Sequence, residues 1–257
     1  TNGLSYVLDL NGKTITATDS TWSIDVNSGA TLQLKGEGAI DGTINVRGAE
    51  SKLLLTDVWN GTVTNITVLN AQLEMSGGTV SNVLSFQDCT TEQAENIKIT
   101  GGTFAKFGNT FSSGFDKTGC ATLQDLVADG YTLQKKDEDG NYRYLTADER
   151  AGFEILEEVT VVKCEHDFKT GTCPNCGAAC PHETVNADGK CTACGKQAMV
   201  AKVGETFYSD IQKALKAAVD EKATLVLLDD VTLNSFDGWF GSYTGTTIDL
   251  NGKTITG

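Results

Sequence analysis

"LDLNGKTIT" at residues 8–16 returns as "IDLNGKTIT" at 248–256, identical at eight of nine positions. Beneath it lies a looser pattern: apolar, any, apolar, any, Gly, with another apolar residue three positions on. Leu8, Leu10, Gly12 and Ile15 match Leu73, Met75, Gly77 and Val80, and again Ile97, Ile99, Gly101 and Phe104. Weaker copies start at Leu32 and Leu53, so the repeat recurs at 8, 32, 53, 73 and 97. Alternation with a spacing of two, in segments rich in Thr, Val, Ile and Gly, specifies strands and not helices. A short strand and a Gly-marked turn every twenty-odd residues cannot bury an apolar face alone, and stacking such turns makes a solenoid. The expected fold is mainly β: right-handed parallel β-helix modules. An antiparallel sandwich is the competing arrangement. Asp9, Asn11, Gln33, Glu74, Ser76, Lys98 and Thr100 are expected to face outward.

The pattern organises the chain into four parts. Residues 1–110 carry the β-helix turns, and 111–163 change character and read as an α+β cap. Within the cap, "GCATLQDLVADGYTL" reads as a brief helix, "QKKDEDGNYRYL" as a hairpin and "FEILEEVTVVK" as a closing strand. Residues 164–196 form a linker. Residues 197–257 begin with an amphipathic helix, with Ile211, Leu215, Ala218 and Val219 on one face and Ser209 or Asp210 as cap. A buried strand follows at 224–228, then the returning motif, as in the start of a second β-helix. The chain reads as a window on a longer repetitive protein. Cys89 and Cys120 could form a disulfide pinning cap to solenoid, or remain two buried free thiols.

The linker gathers six of the eight cysteines and both histidines and prolines of the chain. It is one unit written twice: Cys164-x-His166 with Cys173-x-x-Cys176-Gly177, then Cys180-x-His182 with Cys191-x-x-Cys194-Gly195. Three thiolates and one imidazole make the donor set of a closed tetrahedral zinc site. The two-residue gap lets both sulfurs face one ion, and the following Gly permits a left-handed turn that aims amides at the sulfurs. Two structural zinc ions are therefore expected, supplying folding energy that so few apolar residues cannot. A disulfide framework explains the even cysteine count but not the repeated His.

Composition narrows the function. The formal charge is −14, and Arg47, Arg143 and Arg150 are the only guanidinium groups, which argues against nucleic acid as partner. No stretch is apolar enough to insert in a membrane. Catalysis is disfavoured: four protein ligands per ion leave no open position, and Asp41 and Asp57 are the only acid pair that stacking suggests. Trp22, Trp59, Trp239, Phe240 and Tyr243 are candidate ligand-binding aromatics, especially in "SFDGWFGSYTG", or else plugs of the solenoid's core or its end. Exposed end turns leave room for head-to-tail self-association.

With Tyr208 to Ala214 opening a helix that runs on to Asp249–Thr256, and with C-x-H…C-x-x-C-G units between modules, the chain resembles the large modular surface proteins of gut-dwelling Gram-positive bacteria. That resemblance implies an extracellular, cell-surface location and a non-catalytic binding or spacing role toward host proteins or glycans, such as immunoglobulin or mucin. It includes adhesins and immunoglobulin-binding superantigen-like proteins and transfers no binding residue. The alternative is a fragment of a carbohydrate-active β-helix enzyme, a glycosidase or polysaccharide lyase.

Overall fold

A computed structural model describes residues 3–16, 23–56, 58–233 and 246–257. Its contacts divide the chain into two compact units, Thr1–His166 with Pro174–Gly177, and Asp167–Cys173 with Ala178–Gly257.

The first unit is a parallel β-solenoid. One sheet stacks Ser5–Asp9, Thr31–Lys35, Lys52–Leu55, Gln72–Met75 and Ile97–Ile99, each parallel to the next. Another stacks Lys13–Thr16, Gly38–Arg47, Thr62–Leu69, Thr79–Gln87 and Thr103–Phe104. Register shifts at Ile40/Thr43 and Val63/Asn65 mark where the long strands bend from one wall to the next. Alternation then puts like residues over like. Leu32, Leu53, Leu73 and Ile97 form one internal column, and Ile44, Ile66, Leu84 and Phe107 another. Leu53, Leu73, Ile44, Ile66 and Leu84 are fully buried. Each such side chain contributes roughly 1.5–3 kcal/mol, which is what holds a stack of individually unstable turns.

Three details differ from the sequence reading. Leu8 lies opposite Leu34, not Leu32; the slip is two residues, so the side chain keeps its face. Ser76, expected to point outward, has a buried hydroxyl without a hydrogen-bond partner. The brief helix in the cap does not form. Thr122 N and Oγ1 donate to Asp125 Oδ2 as at a helix start. The backbone then spends its bonds on neighbours instead: Ala121 N on Cys89 O, Leu123 N on Gly152 O and Ala128 N on Ile99 O. Burying Leu123 and Leu126 outweighs the local preference for a helix.

The remainder of the cap follows the expected elements. Tyr131–Lys136 and Tyr142–Tyr144 pair as a hairpin, and Val159–Lys163 joins Tyr131–Lys136 to the parallel strand Thr103–Phe104, antiparallel on both sides. This closes an edge that would otherwise offer unpaired backbone groups. A buried asparagine fastens it. The column Val26, Val46, Val68, Phe86 ends in Asn109, whose amide donates to Cys89 O and Ala121 O and whose oxygen accepts from Cys89 N.

In the second unit, Ala201–Val203 pairs antiparallel with Thr206–Tyr208 and with Thr224–Leu227. The helix Ile211–Glu221 starts at Asp210, whose carboxylate accepts from Gln212 N and Lys213 N, and stops at left-handed Lys222. Its Ala214 and Ala218 pack into a core with Val203, Leu225 and Leu227. Thr224–Leu227 then pairs parallel with Thr247–Asp249, and Val231–Thr232 with Ile255–Thr256, which is the beginning of a solenoid turn. The repeated motif folds the same way in both places. Asn11-Gly12 and Asn251-Gly252 share left-handed geometry, φ 46° and 75° against 47° and 74°. Asp9 and Asp249 each accept from the asparagine N–H two residues on.

Candidate metal centre

The linker's two Cys/His sets each converge. Cys164, His166, Cys173 and Cys176 form one group and Cys180, His182, Cys191 and Cys194 the other, with ligand atoms all within 4.8 Å of one another. The backbone that achieves this is repeated. Cys173 N donates to Ala178 O at 2.8 Å and Cys191 N to Lys196 O at 2.9 Å, and bridges join Thr172 to Ala179 and Lys190 to Gln197. Gly177 and Gly195 are left-handed, φ 79° and 70°, as the C-x-x-C-G spacing requires. A further bond closes each knuckle: Cys180 N to Gly171 O at 2.9 Å in the first, Ala198 N to Gly189 O at 3.0 Å in the second.

The distances fit a shared ion. Around a tetrahedral zinc with sulfurs at about 2.3 Å, two sulfurs stand about 3.8 Å apart, and a nitrogen and a sulfur about 3.5 Å apart. Cys176 Sγ lies 3.3 Å from His166 Nδ1, Cys194 Sγ 3.5 Å from His182 Nδ1, and Cys180 Sγ 3.5 Å from Cys191 Sγ. A disulfide needs about 2.05 Å, and none of the eight cysteines forms one. The Cys191 thiol is lowered to about 6, by the hydrogen bond from His182 and then by the amide of Cys194, with Ala193 adding a smaller share. Amides do point at this sulfur, and they favour the thiolate that a metal takes. Burial pushes Cys180 upward.

The groups differ in their surroundings. In the first, the Cys173–Cys176 turn is bonded to the cap: Asn175 O accepts from Thr132 Oγ1 at 2.7 Å and from Arg150 Nη1 at 3.0 Å. Cys164 N donates to Gly130 O, and Asn175 Nδ2 to Glu165 O. In the second, Gln197 Nε2 reaches Asp188 O and Met199 O, and Met199 N donates to Gly189 O, while His182 takes a left-handed φ of 53°. Arg150, Thr132 and Asn109 escape sequence reading, because their burial is set by chain segments far away in sequence. The capping box Thr146-to-Glu149 that leads into Arg150 is the one local signal.

Other expected site residues fare differently. Trp59 is not an exposed platform: it is fully buried in the solenoid. Glycines make the room, since a Cβ at Gly61 would lie 2.3 Å from the Trp59 ring and one at Gly78 2.5 Å from Nε1. Cys89 and Cys120 form no disulfide. Their thiols face the carbonyls of Thr90 and Asp116, and burial, reinforced by Cys120, pushes Cys89 up to about 11. Asp41 is exposed and accepts from Thr64. Trp22, Asp57, Trp239, Phe240 and Tyr243 lie outside the described residues. Among the described residues, no helix is long and apolar enough to cross a membrane.

Fold and site together define a β-solenoid chain whose linker carries two groups, each able to hold a metal ion through three cysteines and a histidine. No family model matches the chain, and neither curated proteins nor solved structures yield a match.

Proposed function

We propose that this chain is a non-catalytic binding and spacing module of a large extracellular bacterial surface protein, and that its linker is folded by two structural zinc ions. The observation that carries the reading is the pair of closed groups. All four donors of each converge within 4.8 Å, so each ion would be fully ligated by protein, with no position left for water or substrate. When bound, zinc supplies folding energy to a segment that lacks an apolar core. The three-thiolate, one-imidazole set suits zinc over harder cations, which take oxygen.

The binding role rests on the solenoid and on the resemblance to modular surface proteins. A stack of short strands presents long, regular outer walls suited to an extended partner. The walls here carry short polar ladders, such as Thr43, Asn65 and Asn82, linked side chain to side chain. The partner class is a host protein or glycoprotein, immunoglobulin or mucin. Native mass spectrometry is expected to find two zinc ions, both lost to a chelator; a mass lower by paired hydrogens would overturn the zinc reading. Surface plasmon resonance against immunoglobulin and mucin tests the rest. Release of reducing sugar or of an unsaturated product from polysaccharide would replace it with an enzyme.

A further inference from the structure

Arg150 is buried, with 5% of its surface exposed. Its guanidinium donates to two carbonyl oxygens, Leu145 O and Asn175 O. The carboxylate next to it in sequence, Glu149, is taken by Arg143 and Lys135. Among the described residues no carboxylate oxygen comes within 4.0 Å of Arg150. A buried cation with only neutral acceptors is costly, and such groups are ordinarily paired with an anion. The linker's first group, once loaded with a metal ion, would supply one. Asn175 sits between Cys173 and Cys176, and a Cβ on Gly177, the residue after Cys176, would lie 3.9 Å from Arg150 Nη2. Three thiolates and a neutral imidazole around a dication leave one net negative charge.

We propose that Arg150 is the counter-ion of the first metal group and the residue that positions its Cys173–Cys176 turn. The guanidinium balances the charge of the loaded group while its hydrogen bond to Asn175 O holds the turn that presents two of the sulfurs. Among the described residues Arg150 is the only buried cation, and the second group has exposed lysines, Lys190 and Lys196, beside it in sequence. Its knuckle is fixed by a neutral side chain, Gln197. Loading of the first group is therefore coupled to the cap, and the two groups differ in affinity and in the reactivity of their sulfurs.

The inference rests on the metal reading above, and the test separates the two. The chain with Cys191→Ser and Cys194→Ser reports the first group alone, and the chain with Cys173→Ser and Cys176→Ser reports the second. Chelator competition with Zn2+ measures affinity, and iodoacetamide measures how fast the bound sulfurs react. Arg150→Met is expected to weaken the first group at least about tenfold, to speed alkylation of its sulfurs, and to leave the second group unchanged. Arg150→Lys, which keeps the charge, is expected to recover most of both losses. Equal losses in the Met and Lys variants, no loss at the first group, or equal loss at both groups would overturn the assignment. Should Arg150→Met not fold, Arg150→Lys decides: affinity within about threefold of the unsubstituted chain supports the counter-ion role, and a tenfold loss refutes it. A chain that binds no Zn2+ at either group refutes the metal reading instead.

Discussion

The two knuckles are built from one sequence pattern and one set of internal bonds, yet they lean on different supports. The first is held from outside its own stretch, by Thr132 and Arg150 of the cap. The second is held mainly by its immediate sequence neighbours Gln197 and Met199. The motif therefore encodes the ligand geometry, while the stability of each copy is lent by its surroundings. Two copies of one ligand pattern, with six residues between His and Cys in the first and eight in the second, rest on different supports.

The largest effect that can break this comparison is removal of the metal. If the linker is folded by the proposed zinc ions, a strong chelator should abolish amide protection through residues 164–196 while the solenoid strands keep theirs, since a structural zinc contributes about 10–16 kcal/mol of apparent binding energy. Before chelation, hydrogen exchange should find residues 173–177 more protected than 191–195; equal exposure of the two turns would erase the difference. Next come core truncations. Leu123→Ala in the cap and Leu225→Ala in the second unit remove buried side chains and should each cost about 2–5 kcal/mol in chemical denaturation. The first should also lower Zn2+ affinity at the Cys164 group alone, and the second should spare that group. Metal titrations of the two variants check this.

Smaller changes sharpen the contrast. Thr132→Val deletes one hydrogen bond to Asn175 O and should cost about 0.5–1.5 kcal/mol, read as faster exchange at the first knuckle only. Gln197→Ala should do the same at the second. The smallest effect is with pH. Glu149 is held well below the usual carboxylate range, by its hydrogen bonds from Arg143 first and Lys135 further down. Because its folded value is depressed, its stabilisation is present above its unfolded value of about 4.3 and is lost as pH falls below that. Acid melts should find the cap weakening below that pH in the native chain, and Glu149→Gln should flatten that part of the profile.

Much of this was legible from residue spacing. Alternate apolar positions and the glycine three before the next one placed the strands, because a solenoid wall repeats the same local demand each turn. The eight candidate ligands were readable for the same reason: the geometry that brings them together is set over a few residues. What spacing could not supply was set across turns. Trp59 looks like a surface aromatic until Gly61 and Gly78, in other strands' neighbourhoods, are seen to hollow a place for it. The cap helix failed because Leu123 and Leu126 answer to the end of the solenoid and not to their own neighbours. Cys89 and Cys120 form no disulfide and face the carbonyls of Thr90 and Asp116, a placement that a count of cysteines cannot reveal.

Cys180 belongs to both knuckles. Its backbone N–H closes the first, and its sulfur opens the second. In the second knuckle the closing position is filled by Ala198, which makes the equivalent bond but brings no ligand. The linker is thus a polymer with an explicit stop. From that position the chain passes instead into the second unit, where Val200 N donates to Tyr208 O and Val200 O accepts from Leu228 N. The same backbone bond that hands one knuckle on to the next thus hands the last one on to a sheet.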